Sequence, residues 1–498
     1  MDFDVLILGA GIAGLSLALK LPPHIRIAVV CKGDVSCSNS ELAQGGLAGV
    51  FAPEDSYAQH IQDTVKAGDG LCWENAVALL VKEASEQIAW LKSCGVPFDA
   101  EKNQFALGKE GAHAFRRIVH AKDATGHSII ETLAKKVGER GNISLIPHHA
   151  GIDLKVGRNR CCGCYTIDLK ENSKKFLGAK AVVIATGGIG ALYPETCNAE
   201  IATGDGLALA FRAGATLADL EFVQFHPTAF TKSHPAFLIS ERVRGEGAIL
   251  LDNQGRRFME GVHPGLELAP RDILSRAIAK TMDGTKISCV YLDIRHLGKD
   301  KIVSLFPNIF QTCKQHGFDI TRESIPVSPT AHYLCGGILT DAEGRTSIPG
   351  LFAVGEAACT GTHGANRLAS NSLTECIVHS DKLASFLSAE NFSGRGGETQ
   401  EGIFLMEPQS PGFEHGLPFE EPAIKNVPCS FPPAENIGRL RDIMIRYAGI
   451  VRTGKGLNRG LEELSLLKGV FKNMKLPLSA SLLGFQNMLL VARLVMES

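Results

Sequence analysis

An apolar run, Val5-Leu6-Ile7-Leu8, breaks into Gly9-Ala10-Gly11-Ile12-Ala13-Gly14 and resumes as Leu15-Ser16-Leu17-Ala18-Leu19-Lys20. A run this short, bounded by glycines, reads as a strand buried on both faces, and the segment after it as a helix. Ile25 to Val30 supplies a second strand at the spacing of a βαβ unit. Lys180 to Ile184, ending at Ala185-Thr186-Gly187-Gly188, and Gly350 to Glu356 read as further strands of the same sheet. They lie far apart in sequence, which points to one α/β domain interrupted by an insertion over about 220–333. Within the insertion, Phe225-His226-Pro227 and Arg242-Val243-Arg244-Gly245-Glu246-Gly247 read as loops. From about Ser388 the pattern is lost, with Gly394, Gly396 and Gly397 and seven prolines between Pro408 and Pro433, as in a linker. Helical spacing returns over Ile437–Tyr447, Gly460–Lys472 and Ser479–Met496, where Leu461, Leu464 and Leu467 recur on one face. The expected division is 1–219 with 334–388, then 220–333, a linker over 389–434 and a helical unit over 435–498.

Composition narrows the classes. The chain has 498 residues, 45% hydrophobic and 21% charged, enough for two or three globular domains. Its 51 Lys and Arg nearly cancel 53 Asp and Glu, for a formal charge of -2 and no long basic block, so no nucleic-acid partner is expected. The longest apolar stretches break before membrane length: Leu482 to Met496 carries Gln486, Asn487 and Arg493. No membrane partner is expected. Met1 to Asp4 holds two acids and no basic leader, which reads as a cytoplasmic chain. The 14 cysteines are diluted over a large protein and read as reduced thiols. Only Cys161, Cys162 and Cys164 cluster, without a fourth ligand nearby, and they read as a reduced, partly exposed hairpin or loop with no metal.

The glycine turn between strand and helix lets backbone approach a pyrophosphate, whose charge the helix N-terminus stabilises. At the end of the second strand, where an acid would hold a ribose, stand Cys31 and Lys32. Lys32 reads equally as a phosphate ligand or a solvated strand-end charge. Ser38 to Ala48 is a small-residue loop against which a flat ring could lie. Arg367, in the glycine-rich turn Thr362 to Leu373, suits a carboxylate clamp because its fork matches two oxygens.

Taken in order, Gly9-x-Gly11-x-x-Gly14, Ala43-Gln44-Gly45-Gly46, Ala185-Thr186-Gly187-Gly188, Thr203-Gly204-Asp205-Gly206, Gln224-Phe225-His226-Pro227-Thr228, Arg244-Gly245-Glu246-Gly247, Pro270-Arg271-Asp272, His332-Tyr333 and Gly364-Ala365-Asn366-Arg367 form a series. The series resembles the flavoproteins of the succinate dehydrogenase and fumarate reductase superfamily, and within it the aspartate oxidases most, from residue 3 to about 496. The resemblance implies a Rossmann-like FAD-binding domain interrupted by an α+β capping domain, with a C-terminal three-helix bundle. It implies FAD contacts at Gly9, Ala10, Gly11, Ile12, Ala13 and Gly14, at Lys32, and at Asn39, Ser40, Glu41, Leu42, Ala43, Gln44, Gly45 and Gly46. Asp205, Glu356, Ser372 and Leu373 complete that set. Membrane-bound relatives carry a flavin-linking His where this chain has Asn39, so non-covalent FAD is expected, one per chain.

For the substrate, the resemblance implies that His226, His332, Arg367 and Ser240 hold the two carboxylates of a C4 acid. Arg271 corresponds to the proton-transferring Arg, with Glu241 and Arg244 as the relay behind it. Glu110 corresponds to the carboxylate that pairs with the substrate ammonium, a group succinate and fumarate lack. The implied activity is oxidation of L-aspartate to iminoaspartate with O2 or fumarate as acceptor. The product would feed quinolinate synthase in NAD biosynthesis. Two alternatives stay open: a soluble fumarate reductase or succinate dehydrogenase flavoprotein, against which Glu110 speaks, and a flavin carrier without turnover, which would need an incomplete active-site set. Relatives continue past the last helix with a segment in which Ser-Arg-Gly and a His follow a Glu, where this sequence reads Glu497-Ser498.

Overall fold

The computed structural model describes residues 2–102, 104–233, 236–389, 434–472 and 480–498. The linker expected over 389–434 therefore lies, but for its two end residues, outside the described residues.

Parallel strands Ile143–Ile146, Ile27–Val30, Phe3–Leu8 and Lys174–Ile184 lie side by side in that order, and Leu351–Ala353 joins the last of them. Alternation explains why Phe3–Leu8 carries no polar position in its apolar run. Val5 and Ile7 enter one core while Leu6 and Leu8 enter another on the opposite face, and all four are at most 3% exposed. The first core is closed by helices Ile12–Lys20, Glu74–Cys94, Thr125–Gly138 and Asn371–Ala389. Covering the second are helix Asp205–Arg212 and the antiparallel strands His149–Gly157 and Arg160–Asp168, which continue the sheet from the N-terminal half of Lys174–Ile184.

Cys161-Cys162-Gly163-Cys164 thus takes the hairpin alternative, with Cys162 partly exposed but Cys161 and Cys164 buried. It opens strand Arg160–Asp168, entered through a two-residue turn whose Arg158 and Asn159 have φ of +53° and +57°, as a tight hairpin requires. A register shift between Cys161 and Cys164 turns both side chains into the core, and burial pushes the Cys161 thiol up to about 11. The described cysteines are all free thiols.

The segment after the main sheet forms a second, antiparallel sheet in the order Phe237–Leu238, Val223–Phe230, Ile325–Leu334, Val290–Asp293, Ile249–Leu251. Its core of Phe230, Val243, Leu250, Leu274, Ile278, Leu292, Phe306 and Val327 is separate from the other two. The chain enters and leaves this segment side by side, since Leu217 pairs with Ile338 and Val223 with Leu334. Two expected loops are regular structure. Phe225-His226-Pro227 sits inside strand Val223–Phe230, where register breaks flank it and leave Pro227 without a ladder duty. Arg242 to Gly245 belongs to a short helix, Glu241–Gly245, capped by Ser240 Oγ accepting from Arg242 N–H at 3.4 Å.

Helices Ala434–Tyr447, Gly454–Lys472 and Ala480–Glu497 share one core with Leu192, Tyr193, Leu207, Leu220 and Phe225, through Leu440, Met444, Leu464, Leu467, Phe485 and Val491. Among the described residues no helix is long and apolar enough to cross a membrane.

Candidate active site

A single long cleft starts at the Gly9–Ala13 turn, passes Lys32 and the loop from Ser38 to Gly46, and ends among Glu110, Glu241, Arg271, His332 and Arg367. Its empty volume, counting space open to solvent, is about 1740 Å³. The first end is made mostly of backbone. Gly9 has φ +119°, and a Cβ on it would lie 2.0 Å from the Ala185 carbonyl oxygen. A Cβ on Gly14 would lie 2.1 Å from the Gly9 carbonyl oxygen, so Gly14 packs helix on turn and does not itself reach the cleft. Ser40 Oγ already accepts the Ile12 N–H at 3.1 Å. Farther along, Gln44 Oε1, Thr186 Oγ1 and Asn198 Oδ1 are buried beside the cleft without a protein partner. Unpaired buried polar atoms are costly. An elongated ligand with hydrogen-bonding groups along its length satisfies them, and a flavin dinucleotide fits that description.

Lys32 is not the free cation that the sequence leaves open. Its Nζ donates to Asp205 Oδ2 at 2.5 Å and to Thr203 Oγ1 at 2.8 Å. Burial pushes the Asp205 carboxyl up, but Lys32, Asn487 and Thr203 outweigh it and hold Asp205 below the usual range. Glu356 takes an N–H from Leu334 at 3.1 Å, yet burial pushes its carboxyl up to about 7. Glu41 turns away from the cleft to pair with His127 at 2.5 Å. Asn39, Leu42, Ala43, Gly45, Gly46, Ser372 and Leu373 all line it.

The other end is made of buried charge. Arg271 begins helix Arg271–Thr285 just after Pro270, and its Nε donates to Glu241 Oε2 at 2.7 Å. Arg244 stands behind, 3.5 Å from Glu241 Oε1, and donates to the Glu267 carbonyl at 2.7 Å; it does not line the cleft. Gln224 ties the cations together, its Oε1 accepting from Arg271 Nη1 at 3.0 Å and Arg367 Nη2 at 3.1 Å. Arg367 lies over the Tyr333 ring, 4.4 Å from its centroid, and donates to Ser372 Oγ at 2.8 Å. Its Nε is buried with no partner in the protein.

Glu110 is 3% exposed and accepts from Ser370 Oγ at 2.6 Å. Gly45 makes room for it, because a Cβ there would lie 2.8 Å from Glu110 Oε1. Burial, and then the Glu241 charge, push the Glu110 carboxyl up. Burial also acts on Glu241, but Arg244 and Arg271 outweigh it and keep it ionised. Three guanidiniums therefore cluster round Glu241, in a desolvated pocket that also holds Glu110. Arg271 and Arg367, which line the cleft, suit a dicarboxylate. A ligand that also carried an ammonium would bring one more positive charge, and ionised Glu110 would balance it.

His226 and His332 stand 5.2 Å apart between ring centres. Both are held well below the usual histidine range, by burial first and then by the guanidiniums. Thr228 N–H donates to His226 Nδ1 at 3.2 Å, so the single proton of neutral His226 sits on Nε2, which is buried without a partner. Ser240 lines the same end of the cleft. Sequence reasoning gave no role to Gln224, Tyr333, Ser370, Cys197 or Asn198. Gln224 and Tyr333 stood inside motifs that were read for their neighbours; the other three carried no signal.

Residues 4–373 match the family model described as an FAD binding domain. An L-aspartate oxidase 1 from Ralstonia nicotianae is 43% identical, with the alignment covering 100% of this chain and 93% of the relative. An L-aspartate oxidase from Pseudomonas aeruginosa is 41% identical, covering 99% and 92%. Among solved structures, E. coli quinol fumarate reductase FrdA superposes with a TM-score of 0.87 at 30% identity, covering 100% of this chain and 88% of that one. Mycobacterium smegmatis Sdh1 does so at 0.79 and 29%, covering 100% and 86%. With identity of this order over nearly the whole length of both partners, the chain belongs to the L-aspartate oxidase family, within the succinate dehydrogenase and fumarate reductase flavoproteins.

Proposed function

We propose that the chain is an enzyme that oxidises L-aspartate to iminoaspartate, with FAD as its non-covalent cofactor and O2 or fumarate as the final acceptor. FAD held in this cleft would supply two-electron redox chemistry, as acceptor for a hydride from the substrate Cα and donor to the final acceptor. The observation that carries the reading is the arrangement at one end of the cleft, where Arg271 and Arg367, joined through Gln224, offer cationic sites to a dicarboxylate and buried Glu110 offers a carboxylate to an ammonium.

Arg367, His226, His332 and Ser240 bind and orient the two carboxylates. Glu110 accepts the ammonium, and its affinity for succinate suffers because a buried carboxylate would be left facing a CH2. Aspartate gives up one proton from nitrogen as its Cα hydride leaves, and Arg271, bonded to Glu241, passes protons between the pocket and the relay that ends at Arg244. When fumarate is the acceptor, the same Arg271 supplies the proton that one alkene carbon takes up. Gly9 to Ala13, Lys32, Asn39, Ser40, Leu42 to Gly46, Asp205, Glu356, Ser372 and Leu373 would hold the cofactor. We read 1–219 with 334–388 as an FAD-binding domain, 220–333 as the cap, 389–434 as a linker and 435–498 as a three-helix domain. A cytoplasmic location and delivery of the product to quinolinate synthase, in NAD biosynthesis, complete the reading.

The test is anaerobic mixing. L-aspartate should bleach the flavin absorbance of the purified holoenzyme; bleaching by succinate and not by aspartate overturns the proposal in favour of a succinate dehydrogenase-like enzyme.

A further inference from the structure

An imidazole that binds a carboxylate while neutral must present N–H toward it. At His226 the backbone makes that choice, since a peptide N–H can only donate and Thr228 donates to Nδ1. At His332 the neighbour of Nδ1 is a side chain, the thiol of Cys197, with Sγ at 3.1 Å. We propose that Cys197 is a positioning residue for His332: its S–H donates to Nδ1 and so places the imidazole proton on Nε2, presented to a substrate carboxylate. The proposal rests on the reading of His332 as a carboxylate-binding residue.

Three consecutive side chains hold the His332 end of strand Ile325–Leu334. Thr196 Oγ1 donates to the Ala331 carbonyl at 2.8 Å, Cys197 meets the ring, and Asn198 Nδ2 donates to the His332 carbonyl at 2.9 Å. The segment before Cys197 also forms a bridge, Thr196 to Ala331. Ring and backbone of His332 are therefore fixed from one loop. Two other groups lie near the thiol: the Ala331 carbonyl, farther away at 3.8 Å and already engaged by Thr196, and the Thr330 hydroxyl, which donates to sulfur and leaves the thiol hydrogen for Nδ1. Burial pushes the Cys197 thiol up to about 11, so it keeps its hydrogen at neutral pH. His332, kept neutral by burial and by Arg367 and Arg271, has one proton to place. The two histidines thus reach the same tautomer by different means.

The experiment labels histidine nitrogens in the FAD-loaded enzyme and reads the tautomer by proton–nitrogen correlation, with a His332→Gln sample to assign the signal. His332 should carry its proton on Nε2 in the unmodified chain and in Cys197→Ser, and become a tautomer mixture in Cys197→Ala. KM for L-aspartate should rise about fivefold in Cys197→Ala, the size of one lost hydrogen bond, with kcat nearly unchanged, and return in Cys197→Ser. A proton found on Nδ1 in the unmodified chain overturns the proposal, as does a Cys197→Ala enzyme that keeps the Nε2–H tautomer. A chain that ignores aspartate yet shows the thiol-dependent tautomer keeps the Cys197 role and loses the substrate.

Discussion

The two ends of the cleft solve opposite problems. At the Gly9 turn, backbone is brought so close to backbone that no side chain fits, and the anion-binding capacity comes from peptide groups and a helix N-terminus. At the Arg271 end, long charged side chains are driven into the interior and kept there by one another: Arg244, Arg271 and Arg367 are at most 7% exposed and meet through Glu241 and Gln224. The first end is inseparable from the fold, since Gly9 touches the strand that ends at Ile184. The second can lose a charge while the sheets around it stand. Variants should therefore separate: damage to the first costs cofactor and stability together, whereas damage to the second costs turnover with the cofactor retained.

Arg271→Leu gives the largest expected effect. Removing the guanidinium takes away the group bonded to Glu241 and the proton route through it, and aspartate oxidation should fall about 10³-fold or more. The flavin should stay bound, with its absorbance at the normal ratio to protein. Full oxidase activity in this variant would sink the assignment of Arg271. Gly9→Ala comes next. A methyl 2.0 Å from the Ala185 carbonyl oxygen, at φ +119°, forces apart the first strand and the long strand beside it. A cost of about 3 kcal/mol is expected from the strained φ and the overlap together, seen as a lowered thermal midpoint and loss of FAD in the same preparation. If Gly9→Ala kept its stability and shed only activity, the contrast between the two ends would collapse.

What the sequence made readable follows the same divide. Val5 to Leu8 announces itself because a strand buried on both faces must be apolar throughout, and the glycines after it mark a turn no other residue could make. The charged end is drawn from segments around residues 110, 224–244, 271, 332 and 367, and no local spacing links them. Its residues were found through the ordered motifs of a resembling family, which is why Gln224 was noticed and its bridge between two arginines was not. Cys197 was invisible, since nothing in Thr196-Cys197-Asn198 says that a histidine 135 positions later will lie against the thiol. The errors were local as well. Phe225-His226-Pro227 looked like a loop because proline and histidine interrupt an apolar run, yet the strand carries them at register breaks that sequence does not display. In the cysteine hairpin, the burial of Cys161 and Cys164 comes from a register shift in the strand, which sequence does not display either.

Glu110→Gln tests the charged end at middle strength. The amide keeps the shape and loses the countercharge to an ammonium, so kcat/KM for aspartate should drop about 10²-fold while fumarate reduction by an artificial donor is nearly unchanged. Equal losses on both substrates would show Glu110 to be structural. The unmodified enzyme offers a gentler version of the same test. Because burial and Glu241 push the Glu110 carboxyl up, its neutral form persists to higher pH than an ordinary glutamate's. Below its pKa the pocket lacks the negative charge that an ammonium needs, so kcat/KM for aspartate should fall as pH drops, about tenfold per unit. The limb should vanish in Glu110→Gln and be missing from the fumarate profile.

Lys32 sits where the contrast is least clear, and the smallest effect is expected there. It is a charged side chain at the backbone-built end, already committed to Asp205 and Thr203. Asp205 opens helix Asp205–Arg212, so the helix N-terminus also favours its charge, and Asn487 from the last helix donates to its other oxygen at 2.8 Å. Losing Lys32 therefore leaves a carboxylate with three supports still in place: the helix N-terminus, Asn487 and the Thr203 hydroxyl, which donates to it at 2.9 Å. Lys32→Met should weaken FAD only about three- to tenfold, in line with a partly exposed pair, and adding Asp205→Asn should restore most of it, because the two residues act as one neutral unit. Direct contact between Lys32 and a phosphate predicts the reverse pattern. Lys32→Met would then cost more, Asp205→Asn alone would tighten FAD by freeing the ammonium, and the double variant would stay weak. Equilibrium titration of FAD into the four apoproteins separates these cases. Coupling that cancels in the double variant would place even this charge with the scaffold, and confine cationic chemistry to the Arg271 end.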